Sequence, residues 1–165
     1  MVIAAAVYAY TGGTVAPVVA RGADAPGLSL PTLDSDATAS LADLRGRVVL
    51  VNFWATWCKP CEDEMPAMER LYQTLHPSGF ELLAVSVGEE DAVVRAFRDR
   101  LGVTFPILLD RDKSAALEWQ TFAFPESLLV DRDGVILERY VGPREWDAPA
   151  YVERLRRLLE PSGSS

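Results

Sequence analysis

The two cysteines of the sequence, Cys58 and Cys61, are separated by two residues, and they are the side chains best suited to chemistry. On a helix this spacing places both thiols on one face and within bonding reach. They follow the apolar run 48–54 and open a stretch with helical periodicity. A helix N-terminus presents unpaired N–H groups and a partial positive charge, and both favour a thiolate, the form of cysteine that attacks a disulfide. The pattern therefore predicts thiol–disulfide exchange.

The position of each residue in this motif predicts its role. Cys58 is the expected nucleophile because it stands at the helix start, with the positive charge of Lys59 beside it, and Cys61 is expected to resolve the mixed disulfide. Pro60 suits a first helical turn because it lacks an N–H and its φ is fixed. Glu64 falls beside Cys61 on the helix. If it is buried there, its pKa is raised and it can move the proton of Cys61; an exposed acid in a first turn is an equal alternative from the residues alone.

Two other uses of a cysteine pair are less compatible with the sequence. A domain of this size does not need a stapling disulfide. A zinc site usually has four ligands, and only His76 remains among the soft donors. We therefore expect a redox-active disulfide between Cys58 and Cys61, with no metal and no other cofactor.

Length and composition limit the class of protein. The 165 residues predict one domain, and a hydrophobic fraction of 49% is enough for a sizeable core. The formal net charge is −8. Because an acidic protein is repelled by phosphate backbones and anionic lipid, nucleic acid is not an expected partner.

The first 20 residues carry no charged side chain, and the first charge is that of Arg21. The apolar run 2–10 is interrupted at 11–14, lacks the basic residues that begin a signal peptide, and is too broken for a clear membrane span. Two interpretations remain, a secretory or anchor segment without its first residues and a flexible leader, and we favour the first. The predicted organisation is a leader over 1–24, a folded domain over 25–160 and a flexible tail over 161–165.

Hydrophobic periodicity predicts an alternation of strands and helices along the domain. The predicted strands are 48–54, 80–87 and 105–109; the helices are 58–75, 90–101, 114–119 and 151–159; and two hairpins pair 28–30 with 39–41, through a turn at 34–36, and 127–130 with 135–141. Such an order is typical of an α/β fold with a mixed sheet. The cysteines then lie where a central strand passes into a helix, the edge at which open sheets place their ligand sites.

Several motifs resemble those of the thioredoxin superfamily. The stretch 48–61 is similar to the superfamily as a whole, and four further stretches are similar to its TlpA/ResA-type extracytoplasmic thiol–disulfide oxidoreductases, namely 41–47, 61–66, 85–89 and 105–110. That branch is often membrane-anchored and includes reductants used in cytochrome c maturation. The resemblance covers about residues 25–159. It implies a thioredoxin-like fold, with helices on both faces of a mixed central sheet and an N-terminal β-hairpin extension.

The resemblance also implies roles for individual residues. It makes Cys58 the nucleophile, Cys61 the resolving thiol and Pro125 a cis-proline that faces the pair, although only about 5–6% of X–Pro bonds are cis. The backbone around this proline would bind an incoming client strand by β-augmentation. Glu64 matches a glutamate that affects the acidity of the cysteines. Asn52 occupies the place of a buried aspartate in ordinary thioredoxin, so that proton route is absent.

Five residues around the pair are expected to contact the client protein: Trp57, Lys59, Pro60, Phe124 and Glu126. The branch more often has a small residue before the cis-proline, so Phe124 would crowd the docking face. Three acidic residues after strand 80–87 are expected to cap the next helix, and the first of them, Glu89, is also a candidate for the edge of the site.

The predicted function is reduction of disulfides in extracytoplasmic clients, such as apocytochrome c or its chaperones, with a membrane-borne thiol reductant as the electron donor. We expect a monomer in the periplasm or on the outer side of the membrane, with a possible N-terminal anchor. One alternative is a peroxiredoxin-like peroxidase, but such enzymes need Pro and Thr ahead of the cysteine, and Ala55 is three before Cys58. The other is a Cu(I)-binding redox chaperone, for which Met65 is close to the pair and His76 is far.

Overall fold

A five-stranded mixed β-sheet forms the centre of the computed structural model, which describes residues 18–35 and 37–161. Its strands are β3 (Val48–Trp54), β4 (Phe80–Val87), β5 (Ile107–Asp110), β6 (Glu126–Val130) and β7 (Ile136–Val141). They lie in the order β5-β4-β3-β6-β7. β3, β4 and β5 are parallel, whereas β6 runs antiparallel to β3 and β7 antiparallel to β6. The predicted mixed sheet is confirmed.

β3 is the central strand, and it positions the cysteines. It pairs with β4 from Val48↔Phe80 to Trp54↔Ser86 and with β6 on its other side. All seven of its residues are buried. Burial on both faces explains why the strand is a nearly continuous apolar run, in which Asn52 is the one polar side chain.

Helices cover both faces of the sheet, as predicted. They are α1 (Lys59–Leu75), α2 (Asp91–Leu101), α3 (Ser114–Glu118) and α4 (Pro149–Leu159), with 3-10 turns at Leu41–Leu44 and His76–Ser78. Buried side chains of α1, α2 and α4 form one apolar cluster with the sheet. The short α3 and the first 3-10 turn contribute to the cluster on the opposite face. Within the described ranges, no helix is long and apolar enough to cross a membrane.

The N-terminal hairpin forms a separate two-stranded antiparallel sheet of β1 (Ser29–Pro31) and β2 (Thr38–Ser40). Of its predicted turn, Asp36 lies outside the described residues, as do 1–17 and 162–165. The chain before the hairpin packs on the domain: Val19 is buried, and the N–H of Gly22 donates to the Ile136 carbonyl at 2.8 Å. Residues of the predicted leader thus pack against the domain, and the boundary at 25 stays a prediction.

Several element bounds differ from the predictions by one or two residues; α4, for example, begins at Pro149 and not at 151. β5 begins at Ile107, not at 105, since Pro106 has no N–H to give to a ladder. On α2, Val93 is 50% exposed, because the buried stripe of this helix is centred on Val94 and Phe97. The C-cap of α2 is Gly102, whose φ of 68° is in the left-handed region that favours glycine.

Candidate active site

The cysteine pair lies where β3 passes into α1. Cys58 is the N-cap residue of α1, and Cys61 stands in the first turn. The two sulfurs form a disulfide, with a Cα–Cα distance of 5.3 Å. The N–H of Cys61 donates to Sγ of Cys58 at 3.3 Å. An amide of the helix start thus points at the sulfur of the predicted nucleophile, and in the reduced protein such a donor favours the thiolate.

The disulfide is almost completely buried. Cys58 is 5% exposed and Cys61 is fully buried, so the first sulfur is the outer one. Trp57 is 73% exposed, and its ring lies 6.1 Å from that of Phe124. An aromatic pair therefore includes Trp57, the residue directly before Cys58.

The charge and the proline between the cysteines are both at the surface. Lys59 forms an ion pair with Asp63, one turn along α1, and this hydrogen bond raises the pKa of Lys59. The positive charge expected to assist Cys58 is therefore shared with a carboxylate. Pro60 lies in the first turn of α1, as its missing N–H predicts, and it is exposed.

The peptide bond between Phe124 and Pro125 is cis, as the resemblance implies. The carbonyl of Pro125 accepts the N–H of Gly142 at 2.9 Å, and Gly142 has a φ of 85°, which favours glycine. By contrast, neither the N–H nor the C=O of Phe124 has a hydrogen-bond partner among the described residues. This backbone offers a short open edge beside Trp57.

The side chain of Glu126 does not lie at this edge. It is 3% exposed, and its carboxylate forms an ion pair with Arg139. Glu126 is paired with Phe53, whose ring contacts that of Trp119 on the α3 side of the sheet. Paired residues of antiparallel strands share a face, so Glu126 also points to the α3 side. Its predicted contact with a client stays a prediction.

Glu64 is buried on the α1 side of the sheet, with 3% of its surface exposed. Its Oε1 accepts a hydrogen bond from Nδ2 of Asn52 at 3.0 Å. Its Oε2 accepts two, from the backbone N–H of Arg144 and from Nε1 of Trp146, both at 3.0 Å. Burial raises the pKa of Glu64 to about 7, against the three hydrogen bonds and the charge of Arg144, which lower it. Of the two interpretations left open by the sequence, the buried carboxyl is correct.

Sequence reasoning missed most of the partners of Glu64. Asn52 also donates to Oγ of Ser127 at 2.8 Å, which extends the group onto β6. Arg144 and Trp146 lie 80 and 82 positions from Glu64 along the chain. No motif spacing spans such distances. The one available signal was chemical, because a buried carboxylate needs donors and tryptophan brings an N–H into an apolar core.

Glu89 lies at the edge of the site, the second of its two predicted places. Its carboxylate accepts the backbone N–H of Thr56 at 2.9 Å, the hydroxyl of Thr56, and the hydroxyl of Ser86 at 2.9 Å. Glu90, in contrast, is the N-cap residue of α2 and makes no capping bond with its side chain. Glu89 thus ties the loop ahead of Cys58 to the end of β4.

These parts are arranged for exchange of a disulfide with a thiol. The outer sulfur has an amide donor, the inner sulfur follows three residues later, and a carboxyl that titrates near neutral pH is buried one helical turn beyond it. In the described part of the chain, no three His, Cys, Asp or Glu side chains are grouped as a metal site would need.

Fold and site together define a dithiol–disulfide protein of thioredoxin-like architecture. A family profile extends this to the sequence: residues 21–139 match the AhpC/TSA family. The chain belongs to the AhpC/TSA family.

The relatives give the activity. The chain is 41% identical over 124 residues to "Thiol-disulfide oxidoreductase ResA" of Geobacillus kaustophilus, an alignment that covers 75% of this chain and 71% of the relative. It is 42% identical over 127 residues to "Thioredoxin-like protein YneN" of Bacillus subtilis, covering 75% and 73%. A crystal structure of a thiol:disulfide interchange protein of the thioredoxin family from Chlorobium tepidum superimposes with a TM-score of 0.73 at 28% identity, covering 86% of this chain and 99% of that one.

The predicted resemblance and the thioredoxin-like fold are confirmed by these comparisons. The protein is a thiol–disulfide oxidoreductase, with Cys58 and Cys61 at disulfide distance. The names of the relatives favour this activity over the peroxidase and copper alternatives.

Proposed function

We propose that this protein reduces disulfides of extracytoplasmic client proteins, such as apocytochrome c or its chaperones, and is itself kept reduced by a membrane-borne thiol donor. The observation that carries the proposal is the amide of Cys61 pointing at the sulfur of Cys58. It favours an outer thiolate, and an outer thiolate is what begins the reduction of a client disulfide.

The reaction proceeds in two exchanges. The thiolate of Cys58 attacks one sulfur of the client disulfide, a mixed disulfide forms, and the other client sulfur leaves as a thiolate. Cys61 then loses its proton to the carboxylate of Glu64 and attacks the sulfur of Cys58. The second client thiolate leaves, and the Cys58–Cys61 disulfide forms, so two electrons have passed to the client.

The carboxyl of Glu64 is suited to the second exchange because burial raises its pKa to about 7. A group that binds and releases protons near the working pH is the most effective general base. The three hydrogen bonds to its oxygens keep it ionised for part of the population at neutral pH, ready to take the thiol proton.

The client docks beside the cis-proline in this proposal. The unpartnered N–H and C=O of Phe124 pair with an extended client segment, as in strand addition to a sheet edge. Trp57 and Pro60, which flank Cys58 in the sequence, offer further exposed surface to the client. Because the ring of Phe124 lies against Trp57, the client residues next to the cysteine must have small side chains.

The test is capture of clients in the native host. With Cys61→Ser the second exchange is blocked, so mixed disulfides through Cys58 accumulate; we expect apocytochromes c or their chaperones among them, identified after release with a reductant. The matched control is Cys58→Ser, which should capture none of these partners. Capture restricted to proteins that acquire structural disulfides would contradict the reducing role.

A further inference from the structure

Asn52 has an amide oxygen that the described structure leaves without a partner. The residue is fully buried, and its Oδ1 accepts no hydrogen bond from any described residue. Both N–H bonds of its Nδ2 are used, one to Oε1 of Glu64 and one to Oγ of Ser127. A buried acceptor without a donor costs free energy, and each such group needs an explanation.

The two carboxylate oxygens of Glu64 have different hydrogen-bond partners, and these partners decide which oxygen can carry a proton. Oε2 receives the backbone N–H of Arg144 and the indole N–H of Trp146, and neither group can accept a hydrogen bond. Oε1 receives only the amide of Asn52. A proton on Oε2 would point at two donors, so a proton taken up by Glu64 resides on Oε1.

We propose that Asn52 is a positioning residue that turns its side-chain amide over when Glu64 takes up a proton. A half turn about the Cβ–Cγ bond exchanges Nδ2 and Oδ1. The unpartnered oxygen then accepts the O–H of Glu64, while the NH₂ group gives up its bonds to Glu64 and Ser127 and moves to the position that the oxygen leaves. Ser127 permits both orientations, because a hydroxyl can accept from Nδ2 or donate to Oδ1.

The surroundings of Glu64 leave few other acceptors for this proton. Asn52 on β3 and Ser127 on β6 face it from the sheet, and Arg144 and Trp146 face it from the segment before α4. On its own helix the titratable neighbour is Cys61. The charge of Arg144 opposes uptake of the proton, but a guanidinium cannot accept it. Among these described neighbours of Glu64, the amide oxygen of Asn52 is a strong hydrogen-bond acceptor, and it has no partner.

The inference rests on the proposed function only for the source of the proton, the thiol of Cys61. The half turn of the Asn52 amide follows the protonation of Glu64, whatever group supplies the proton. It can therefore be tested in the oxidised protein, where no exchange of disulfides occurs, so its failure is distinct from failure of the redox role.

The sequence contains a single asparagine, so labelling with ¹⁵N-asparagine yields one side-chain NH₂ signal. Above the titration midpoint of Glu64, followed by its ¹³C carboxyl shift, we expect nuclear Overhauser contacts from this NH₂ group to Hγ of Glu64 and Hβ of Ser127. Below the midpoint these contacts should be lost, with the same pH dependence as the carboxyl shift. Contacts that persist on both sides of the midpoint would overturn the proposal.

The variant Glu64→Gln provides a static version of the test. Its amide oxygen is held by the donors of Arg144 and Trp146, so its NH₂ group faces Asn52 as a permanent donor. We expect the contacts between the Asn52 NH₂ group and Ser127 to be absent at every pH. The control is Gln73→Leu, which removes an exposed amide from the same helix and should keep the wild-type pattern. If Glu64→Gln retains the contacts between the Asn52 NH₂ group and Ser127, the proposed half turn of the amide is contradicted.

Discussion

Among the buried carboxylates, Glu64 and Glu126 lie on opposite faces of the central sheet, and their hydrogen-bonding needs are satisfied in different ways. Glu126 is paired with the guanidinium of Arg139. Glu64 is held by three N–H donors of uncharged groups, two from side chains and one from the backbone. Dipoles of this kind offset only part of the desolvation penalty, so Glu64 keeps a pKa of about 7. A group beside Cys61 that accepts and releases a proton near neutral pH needs this partial compensation.

The raised pKa of Glu64 predicts a pH dependence of stability. Below pH 4.5 the carboxyl is protonated in the folded and unfolded chain; between pH 4.5 and about 7 only the unfolded chain loses the proton, so stability falls. Above pH 7 stability falls no further, and the total decrease in the free energy of unfolding is about 3 kcal/mol. In Glu64→Gln this fall is absent, so the variant gains stability relative to wild type as the pH rises from 4 to 8. Urea unfolding of the oxidised proteins at both pH values measures it.

The exposed acid Glu153 on α4 is the control for this experiment. Its replacement, Glu153→Gln, should change the difference in unfolding free energy between pH 4 and 8 by only a few tenths of a kcal/mol, as is usual for surface positions. If Glu64→Gln and wild type differ by the same amount at both pH values, the buried carboxyl does not titrate in this range.

At the level of single residues, the sequence identified the site residues that lie within one helix. It missed the hydrogen-bond donors that the fold brings to Glu64. Cys58, Cys61 and Glu64 fall within seven positions, so helical spacing alone relates them. The donors that decide whether Glu64 titrates near neutral pH come from β3 and from the segment before α4. Their approach depends on how the sheet and α4 pack, which periodicity does not predict.

The loop between β3 and α1 is the element that presents Cys58, and Glu89 holds it. The Glu89 carboxylate bonds both the backbone and the hydroxyl of Thr56, two residues before Cys58. Its hydrogen bond with Ser86 fixes the carboxylate against the end of β4. The loop is therefore tied to the sheet through charge-assisted hydrogen bonds, which contribute roughly 1.5–3 kcal/mol each.

We predict that Glu89→Ala loosens this loop. With its carboxylate partner gone, the amide of Thr56 should exchange with solvent on the order of 10 to 100 times faster, as expected for loss of one charge-assisted bond. Hydrogen exchange followed by NMR measures this rate directly. The neighbouring Glu90→Ala is the matched control, since the Glu90 side chain makes no capping bond, and it should leave the rate unchanged. An unaltered Thr56 amide in Glu89→Ala would show that the loop is held by other contacts.

Elements were predictable where burial is complete and ambiguous where it is not. The bounds of β3 and β4 coincide with the predicted runs, because strands buried on both faces are apolar at every position. The edge strand β5 is shorter than predicted, and Val93 on α2 lies outside the buried stripe. The cis bond before Pro125 had no signal in local propensity and was implied by family resemblance alone.

Across the whole molecule, one guanidinium joins segments that are far apart in sequence. Arg139 on β7 is paired with Glu126 on β6, next to the cis-proline. It also donates to the carbonyls of Val19 and Trp119, at 2.9 and 3.3 Å, and to that of Gln120. The N-terminal segment, the end of α3 and the β6–β7 hairpin are thus fastened at a single point on the α3 side of the sheet.

This arrangement predicts that Arg139→Met is among the more destabilising single changes. It leaves the carboxylate of Glu126 buried without a cation, a defect that typically costs about 3–5 kcal/mol of unfolding free energy. The double variant Arg139→Met/Glu126→Gln should lose less, because the uncompensated charge is gone. Urea unfolding at pH 7, followed by tryptophan fluorescence, gives the comparison.

The exposed pair of Arg70 and Asp147 supplies the control: Arg70→Met removes a surface ion pair and should cost at most about 1 kcal/mol. A double variant as unstable as Arg139→Met would mean that the bonds to the three carbonyls, and not the ion pair, hold these segments together.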